Sequence, residues 1–238
     1  MQIESCVAFV SGANRGVGAC FVRMLLDNGA RRVYAGARDI ANLPYDDARV
    51  VPVALDITIE AHIARAAALA SDTTLLVNNA GLNRIAPALG ADDINAARAE
   101  MEVNYFGTLN MIRAFAPALQ ANRGAIVNML SILARVALPS MTSLCASKAA
   151  SPRMTEGVRA ELGPHGVRVL SVLPGAIDTD MSRDFPPPKI PAAEVVETTF
   201  AALREGVHEV YVGAMAQQIA AGLAADRRAV QSMLAGGA

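Results

Sequence analysis

Seven short runs of apolar, often β-branched residues punctuate the 238-residue chain, and they constrain its fold more than any other feature: Cys6–Val10, Arg32–Ala35, Val50–Ala54, Leu75–Asn78, Ala125–Leu130, Val167–Val172 and Glu209–Val212. Each has the length of a β-strand. Each is apolar nearly throughout rather than alternating, the pattern of strands covered on both faces. Most of the intervening segments carry helical periodicity; in the first, Val17, Phe21, Met24 and Leu25 share a face and Asn28-Gly29 closes the segment as a C-cap pair. This alternation predicts an α/β fold, a doubly wound parallel sheet with helices on both faces, over residues 1–238 as a single domain. Phe185-Pro186-Pro187-Pro188 is the one proline run and predicts a mobile loop rather than a domain boundary.

Composition removes several classes of partner. A chain that is 53% hydrophobic is not disordered, and 21 Lys plus Arg against 22 Asp plus Glu leave a net charge of −1, without the basic excess that nucleic acid attracts. No apolar stretch reaches the roughly 18 residues of a membrane helix, so no membrane partner is expected. Cys6, Cys20 and Cys145 are few and far apart, which argues against a disulfide framework and fits a reducing cytoplasm. Met1-Gln2-Ile3-Glu4 is acidic where an export signal is basic. His62, His165 and His208 lack metal-ligand spacing, so they read as ordinary loop or surface histidines and no metal is expected.

The segment Ser11-Gly12-Ala13-Asn14-Arg15-Gly16-Val17-Gly18 joins the first strand to the first helix. Glycines at this spacing let the chain turn tightly, approach a pyrophosphate and pack helix on sheet, while the helix N-terminus offers unpaired N–H groups. The alternative is an ordinary glycine-rich turn. At the end of the second strand, where an acidic residue would hold an NAD ribose, the chain has Ala37 followed by Arg38. With Arg15 as a second cation, this favours a 2′-phosphate and therefore NADP(H); the alternative is two solvated arginines, and Asp39 stands beside them.

With Asn78-Asn79-Ala80-Gly81 added after the fourth strand, the chain resembles the short-chain dehydrogenase/reductase family. The likeness runs through nearly the whole chain. It implies a Rossmann-type sheet of seven parallel strands, a small-molecule substrate, and a homo-tetramer or homo-dimer. It assigns Gly12, Asn14, Arg15, Gly16, Val17, Gly18, Arg38, Asp56, Ile57, Asn78, Ala80 and Gly81 to the cofactor. Pro174, Gly175, Ile177 and Thr179 resemble the segment that holds the nicotinamide carboxamide. Ser131 resembles the catalytic serine, Asn104 the helix asparagine and Lys148 the catalytic lysine, which also holds the nicotinamide ribose. Read as plain residues, Ser131 would cap a turn and Asn104 would pack a helix.

The family's tyrosine lies four residues before its lysine, and here that position is Leu144. Positions i and i+4 share a helix face, which is how the lysine lowers the phenol pKa. Leucine has no proton to give. Tyr34, Tyr45, Tyr105 and Tyr211 lie on other elements or faces, leaving a water ordered by Ser131 and Lys148 as the remaining donor. Pro152, in the same helix, removes an N–H and predicts a kink just past the lysine. Such a pair of irregularities fits an engineered variant or a natural member whose chemistry has drifted. The sequence thus points to an NADPH-dependent oxidoreductase acting on a carbonyl, C=N or C=C group of an apolar substrate. The resemblance further implies a pocket lined by Leu133, Val136, Leu138, Met141 and Met181–Ile190, the last within a substrate-loop segment of about residues 178–192. The alternatives are an NADP(H)-binding sensor or scaffold, or an inactivated mutant.

Overall fold

The computed structural model describes residues 1–41, 43–90 and 93–236. Strands β1 (Val7–Ser11), β2 (Arg32–Ala37), β3 (Val50–Ala54), β4 (Leu75–Asn78), β5 (Ala125–Met129), β6 (Arg168–Pro174) and β7 (Glu209–Val212) form one sheet. Its order is β3-β2-β1-β4-β5-β6-β7, and all neighbours are parallel. All seven expected runs became strands. The edge strand β3 carries exposed Pro52, whose missing N–H is tolerated at an edge.

The helices are α1 (Gly16–Asp27), α2 (Glu60–Leu69), α3 (Asn95–Met101), α4 (Thr108–Ala121), α5 (Thr142–Leu162), α6 (Ala192–Glu205), α7 (Ala214–Ala225) and α8 (Arg227–Leu234). Helix α1 stops at Asn28, and Gly29 takes the left-handed φ of +81° that closes such an end. Between α3 and α4 the chain makes a π-helical turn, Glu102–Gly107. Among the described residues, no helix is long and apolar enough to cross a membrane.

Strand β1 shows why the runs had to be apolar on both sides. Ala8 and Val10 face the cluster made with α1 and α6, whereas Val7 and Phe9 face the cluster made with α2, α4 and α5. All four are completely buried. The scarce aromatics pack within the layers: in one, Phe9 meets Phe115 at 4.7 Å and Tyr34 at 6.2 Å between centroids, and in the other Phe21 meets Phe200 at 6.1 Å.

The chain leaves β1 towards β2 on one side and returns to β4 on the other. Loops that leave β1 and β4 therefore diverge, and a crevice opens beyond their C-terminal ends, the usual ligand position in such sheets. Phe115 carries one whole layer against that axis. Phe115→Ala is expected to lower unfolding free energy by about 3–5 kcal/mol, read by denaturant titration.

Candidate active site

The loop after β1 is built around missing side chains. Gly12 has φ +68° and Gly16 φ +54°, a region glycine enters without steric cost. A Cβ on Gly18 would lie 2.1 Å from Gly12 O, and one on Gly12 would lie 3.0 Å from the Ala80 Cα. Asn79, which sequence reasoning did not single out, locks this approach: its Nδ2 donates to Ser11 O at 3.0 Å and Gly12 O at 3.2 Å. Ser11 Oγ in turn accepts from the N–H groups of Asn79 and Ala80, both at 3.1 Å. Helix α1 has no side-chain cap and no acidic residue in its first turn, so Arg15, Gly16, Val17 and Gly18 open an end without a protein anion. Such a cradle, with free N–H groups at a helix start, fits a pyrophosphate. Asn78 points elsewhere: buried, it donates to Asn128 Oδ1 at 2.9 Å and ties β4 to β5.

Arg38 and Asp56 leave neighbouring strand ends, joined by the bond from Leu55 N to Ala37 O at 2.9 Å. Arg38 is exposed. Burial raises the Asp56 pKa, but hydrogen bonds from Thr58 N at 2.9 Å and Thr58 Oγ1 at 2.7 Å, with the Arg38 charge, bring it below the ordinary value. Asp39 Oδ1 accepts from Ala41 N at 3.0 Å, closing its own turn. His62 has more than a surface role, because its Nδ1 accepts from Asp56 N at 3.2 Å. Ile57 is buried against Gly107, where a Cβ would come within 2.9 Å of it, and this contact fixes the segment that bears Asp56. Asn14 and Arg15 are exposed, and Arg15 Nη1 pairs with Asp180 Oδ2 at 3.2 Å. Both partners are at least half exposed, so the pair itself stabilises little.

Leu144 and Lys148 stand in the first turns of α5, and Ser131 lies two residues past the end of β5. Lys148 Nζ donates to Met129 O at 3.1 Å, and a Cβ on Gly81 would be 3.9 Å from that nitrogen. Burial pushes the ammonium pKa down to about 8. Ser131 caps a short 3-10 turn by accepting from Leu133 N at 3.1 Å. The hydroxyl that accepts there keeps its own proton to donate. Leu144 is 7% exposed. Asn104, in the π-helical turn, is a staple: its Oδ1 accepts from Leu82 N at 2.9 Å, while its Nδ2 donates to Leu82 O and Ser147 Oγ, each at 2.9 Å.

The four tyrosines of the chain are engaged elsewhere. The hydroxyl of Tyr34 donates to Asp72, that of Tyr45 to Ala13 O and that of Tyr211 to Glu209, while Tyr105 packs against the α2/α4/α5 core. The helix continues through Pro152 to Leu162. Hydroxyls bridge the carbonyls around it, from Ser151 Oγ to Ser147 O at 3.2 Å and from Thr155 Oγ1 to Ser151 O at 2.8 Å.

Beyond β6, Pro174 and Gly175 lead to Ile177 and Thr179. Thr179 Cγ2 would stand 3.2 Å from a Cβ on Gly16, so these two expected cofactor residues face each other across the crevice. The segment 178–190 is closed at its base by Asp178 N to Ile190 O and Ile190 N to Ala176 O, both 2.8 Å. Of the expected lining, Met141 is buried beside Asn83, with Asn83 Nδ2 at 3.7 Å from its sulfur. Val136 and Leu133 instead pack with Ala216, Ile219 and Val230 of α7 and α8. All three cysteines are buried thiols.

A pyrophosphate-shaped cradle at the switch point, with a half-buried lysine beside Gly81, is the arrangement of a dinucleotide-dependent oxidoreductase. The family model described as short chain dehydrogenase matches residues 6–189, and the chain belongs to the short-chain dehydrogenase/reductase family. A short chain dehydrogenase from Burkholderia cenocepacia, solved in complex with NADP, is 65% identical and superposes with a TM-score of 0.96, covering 98% of this chain and 99% of its own. An uncharacterized oxidoreductase of Staphylococcus saprophyticus is 32% identical over 224 residues, 87% of this chain and 95% of the relative. A short-chain dehydrogenase of Penicillium crustosum is 35% identical over 185 residues, 74% of this chain and 68% of the relative.

Because the Lys148 pKa falls from 10.5 to about 8, burial of the charge opposes folding fully below pH 8, and the penalty fades as pH rises towards 10.5. Lys148→Met is therefore expected to melt at a higher temperature than the parent at pH 7, with the gap closing above pH 8. Differential scanning calorimetry across that range checks it.

Proposed function

We propose that the chain is an NADP(H)-dependent reductase that delivers hydride to a carbonyl or related C=N or C=C group of an apolar substrate, without the acid its family normally uses. The observation that carries this reading is the contrast within α5: Lys148 sits at the crevice with a lowered pKa, while one turn earlier Leu144 is buried and offers no proton. The NADP complex of the 65% identical Burkholderia protein supports the cofactor, as do Arg38 beyond β2 and the engagement of Asp39 by its own turn. The residues proposed to hold it are Gly12, Asn14, Arg15, Gly16, Val17 and Gly18, with Arg38, Asp56, Ile57, Ala80, Gly81, Lys148, Pro174, Gly175, Ile177 and Thr179 around them. Asn78 supports them from inside the sheet.

Bound NADPH would supply the hydride, a chemistry that belongs to the nicotinamide itself. Ser131 would direct its free hydroxyl proton at the substrate oxygen as charge develops there. Lys148 spends one donor on Met129 O and keeps two, for a ribose hydroxyl and for a water shared with Ser131. That water would protonate the product. A positioned general acid typically contributes about 10²–10⁴-fold, and its loss falls on substrates that end as alkoxides. An iminium is already cationic and ends as an amine, and an activated alkene accepts hydride at carbon, so both need less of this help. Self-association as a homo-dimer or homo-tetramer belongs to the same proposal.

A nucleotide-binding sensor or scaffold is the second reading, and Leu144 together with the fully used Asn104 amide favours it. It requires tight NADPH binding with no substrate-dependent oxidation across a carbonyl and imine panel.

Leu144→Tyr is expected to raise kcat for a simple ketone by about 10²-fold or more; equal rates in parent and variant, in a stopped-flow assay of NADPH oxidation, would reject the missing-acid reading. Arg38→Asp is expected to move cofactor preference towards NADH, and the ratio of kcat/KM for the two cofactors measures it.

A further inference from the structure

The segment between Gly81 and Ala86 is pinned from beneath at every second residue. Leu82 is held through both its N–H and its carbonyl by Asn104. Arg84 N donates to Glu100 Oε1 at 2.7 Å, and Glu100 is completely buried, with its Oε2 lacking a partner. Ala86 O accepts from Ser143 Oγ at 3.2 Å and from Ser143 N at 3.4 Å. The posts stand on α3, on the π-helical turn and on α5. Burying a carboxylate to hold one backbone N–H is a costly device, and it makes sense where the shape of the segment must not drift.

The path of the segment gives that shape a purpose. It starts at Gly81, whose Cβ would lie 3.9 Å from Lys148 Nζ, and it ends on Ser143, the residue before Leu144. The pinned strip therefore spans the helix turn on which Leu144 and Lys148 stand. Between the tied residues lie Asn83, whose amide reaches Ile85 N and the Met141 sulfur, and Ile85, the one apolar side chain of the segment that is exposed. Its backbone is in the left-handed region at φ +53°, which a β-branched side chain strongly disfavours, and the strain is maintained by Asn83 Oδ1 accepting from Ile85 N at 2.9 Å. Despite this cost its side chain is 49% exposed instead of packed. Strain of this kind, without a packing return and beside the Lys148 turn, is a reason to look for a function at this position.

We propose that Leu82–Ala86 is a rigid wall of the substrate crevice and that Ile85 is its specificity-determining side chain, set to contact the apolar part of the substrate. Glu100 is a positioning residue that acts through Arg84 N and touches no substrate. The inference rests on the reductase reading above, since it names how that same site selects its substrate.

The test uses the NADP(H)-loaded protein with a series of ketones and cyclic imines of increasing alkyl size. Ile85→Gly relieves the backbone and removes the contact. It is expected to raise KM for apolar substrates about tenfold with little change in kcat, the signature of lost uniform binding. Ile85→Asn, which tolerates the left-handed conformation, keeps the wall and is expected to move preference towards polar substrates. Glu100→Leu is expected to raise KM across the series, and Glu100→Gln, which retains the acceptor for Arg84 N, to restore it. KM profiles of both Ile85 variants within twofold of the parent, in folded protein, would overturn the proposal. Calorimetric titration of the same compounds into the NADP-loaded protein makes the comparison without turnover. A parent that binds panel members and reduces none contradicts the reaction alone; unchanged selectivity in the variants contradicts Ile85 alone; no binding at all contradicts both.

Discussion

A Cβ at Gly18 would stand 2.1 Å from the carbonyl oxygen of Gly12, and the rest of the structure depends on that close approach. It sets where α1 begins, and therefore which N–H groups face the crevice beyond β1. The contact is held from the other side of the switch point, where Asn79 grips the carbonyls of Ser11 and Gly12 and Ser11 grips the backbone of Asn79 and Ala80. One polar clamp thereby fixes the two strand ends between which a dinucleotide lies in this family. It also places Gly81 against Lys148, so the cofactor crevice and the chemical centre share a boundary.

A second polar system runs through the other layer and explains how α5 keeps its position despite two irregular residues. Asn78 bonds Asn128, which bonds Thr155; Thr155 and Ser151 cap carbonyls along α5, and Ser147 meets Asn104. Ser143, Ser147, Ser151 and Thr155 recur every four residues, so they form one buried stripe facing β5 and the π-helical turn. Pro152 removes one N–H beside this stripe and leaves the stripe intact. Leu144 lies outside it. The helix that carries position 144 is thus held in place, and the proposed change there is chemical rather than architectural.

Much of this was legible in the sequence because strands buried on both faces must be apolar, and all seven such runs are strands with ends within two residues of expectation. The glycine loop, Ser131, Lys148 and the gap at Leu144 were legible for a related reason: each needs a particular residue type at a fixed distance from a strand end. What sequence alone left out are partnerships between distant segments. Asn79 belongs to the motif but its sequence gives it no role as a clamp, His62 reads as an ordinary loop or surface histidine, and Tyr45 gives no hint of Ala13. Val136 was apolar and near the site in sequence, yet it packs with α7 and α8, because apolarity alone does not say which layer a side chain enters. The left-handed backbone of Ile85 was not legible because an isoleucine rarely takes it; only the structure shows Asn83 Oδ1 accepting from its N–H.

The central claim is that the chain retains a complete hydride-transfer scaffold and lacks its proton donor. The measurement that tests it most directly is the single-turnover rate, at pH 7 and saturating NADPH, for a ketone and for an iminium of matched size. Reduction of the iminium faster by about 10²-fold or more is the result this account predicts. Equal rates for the two would mean that proton delivery is intact, and would contradict it.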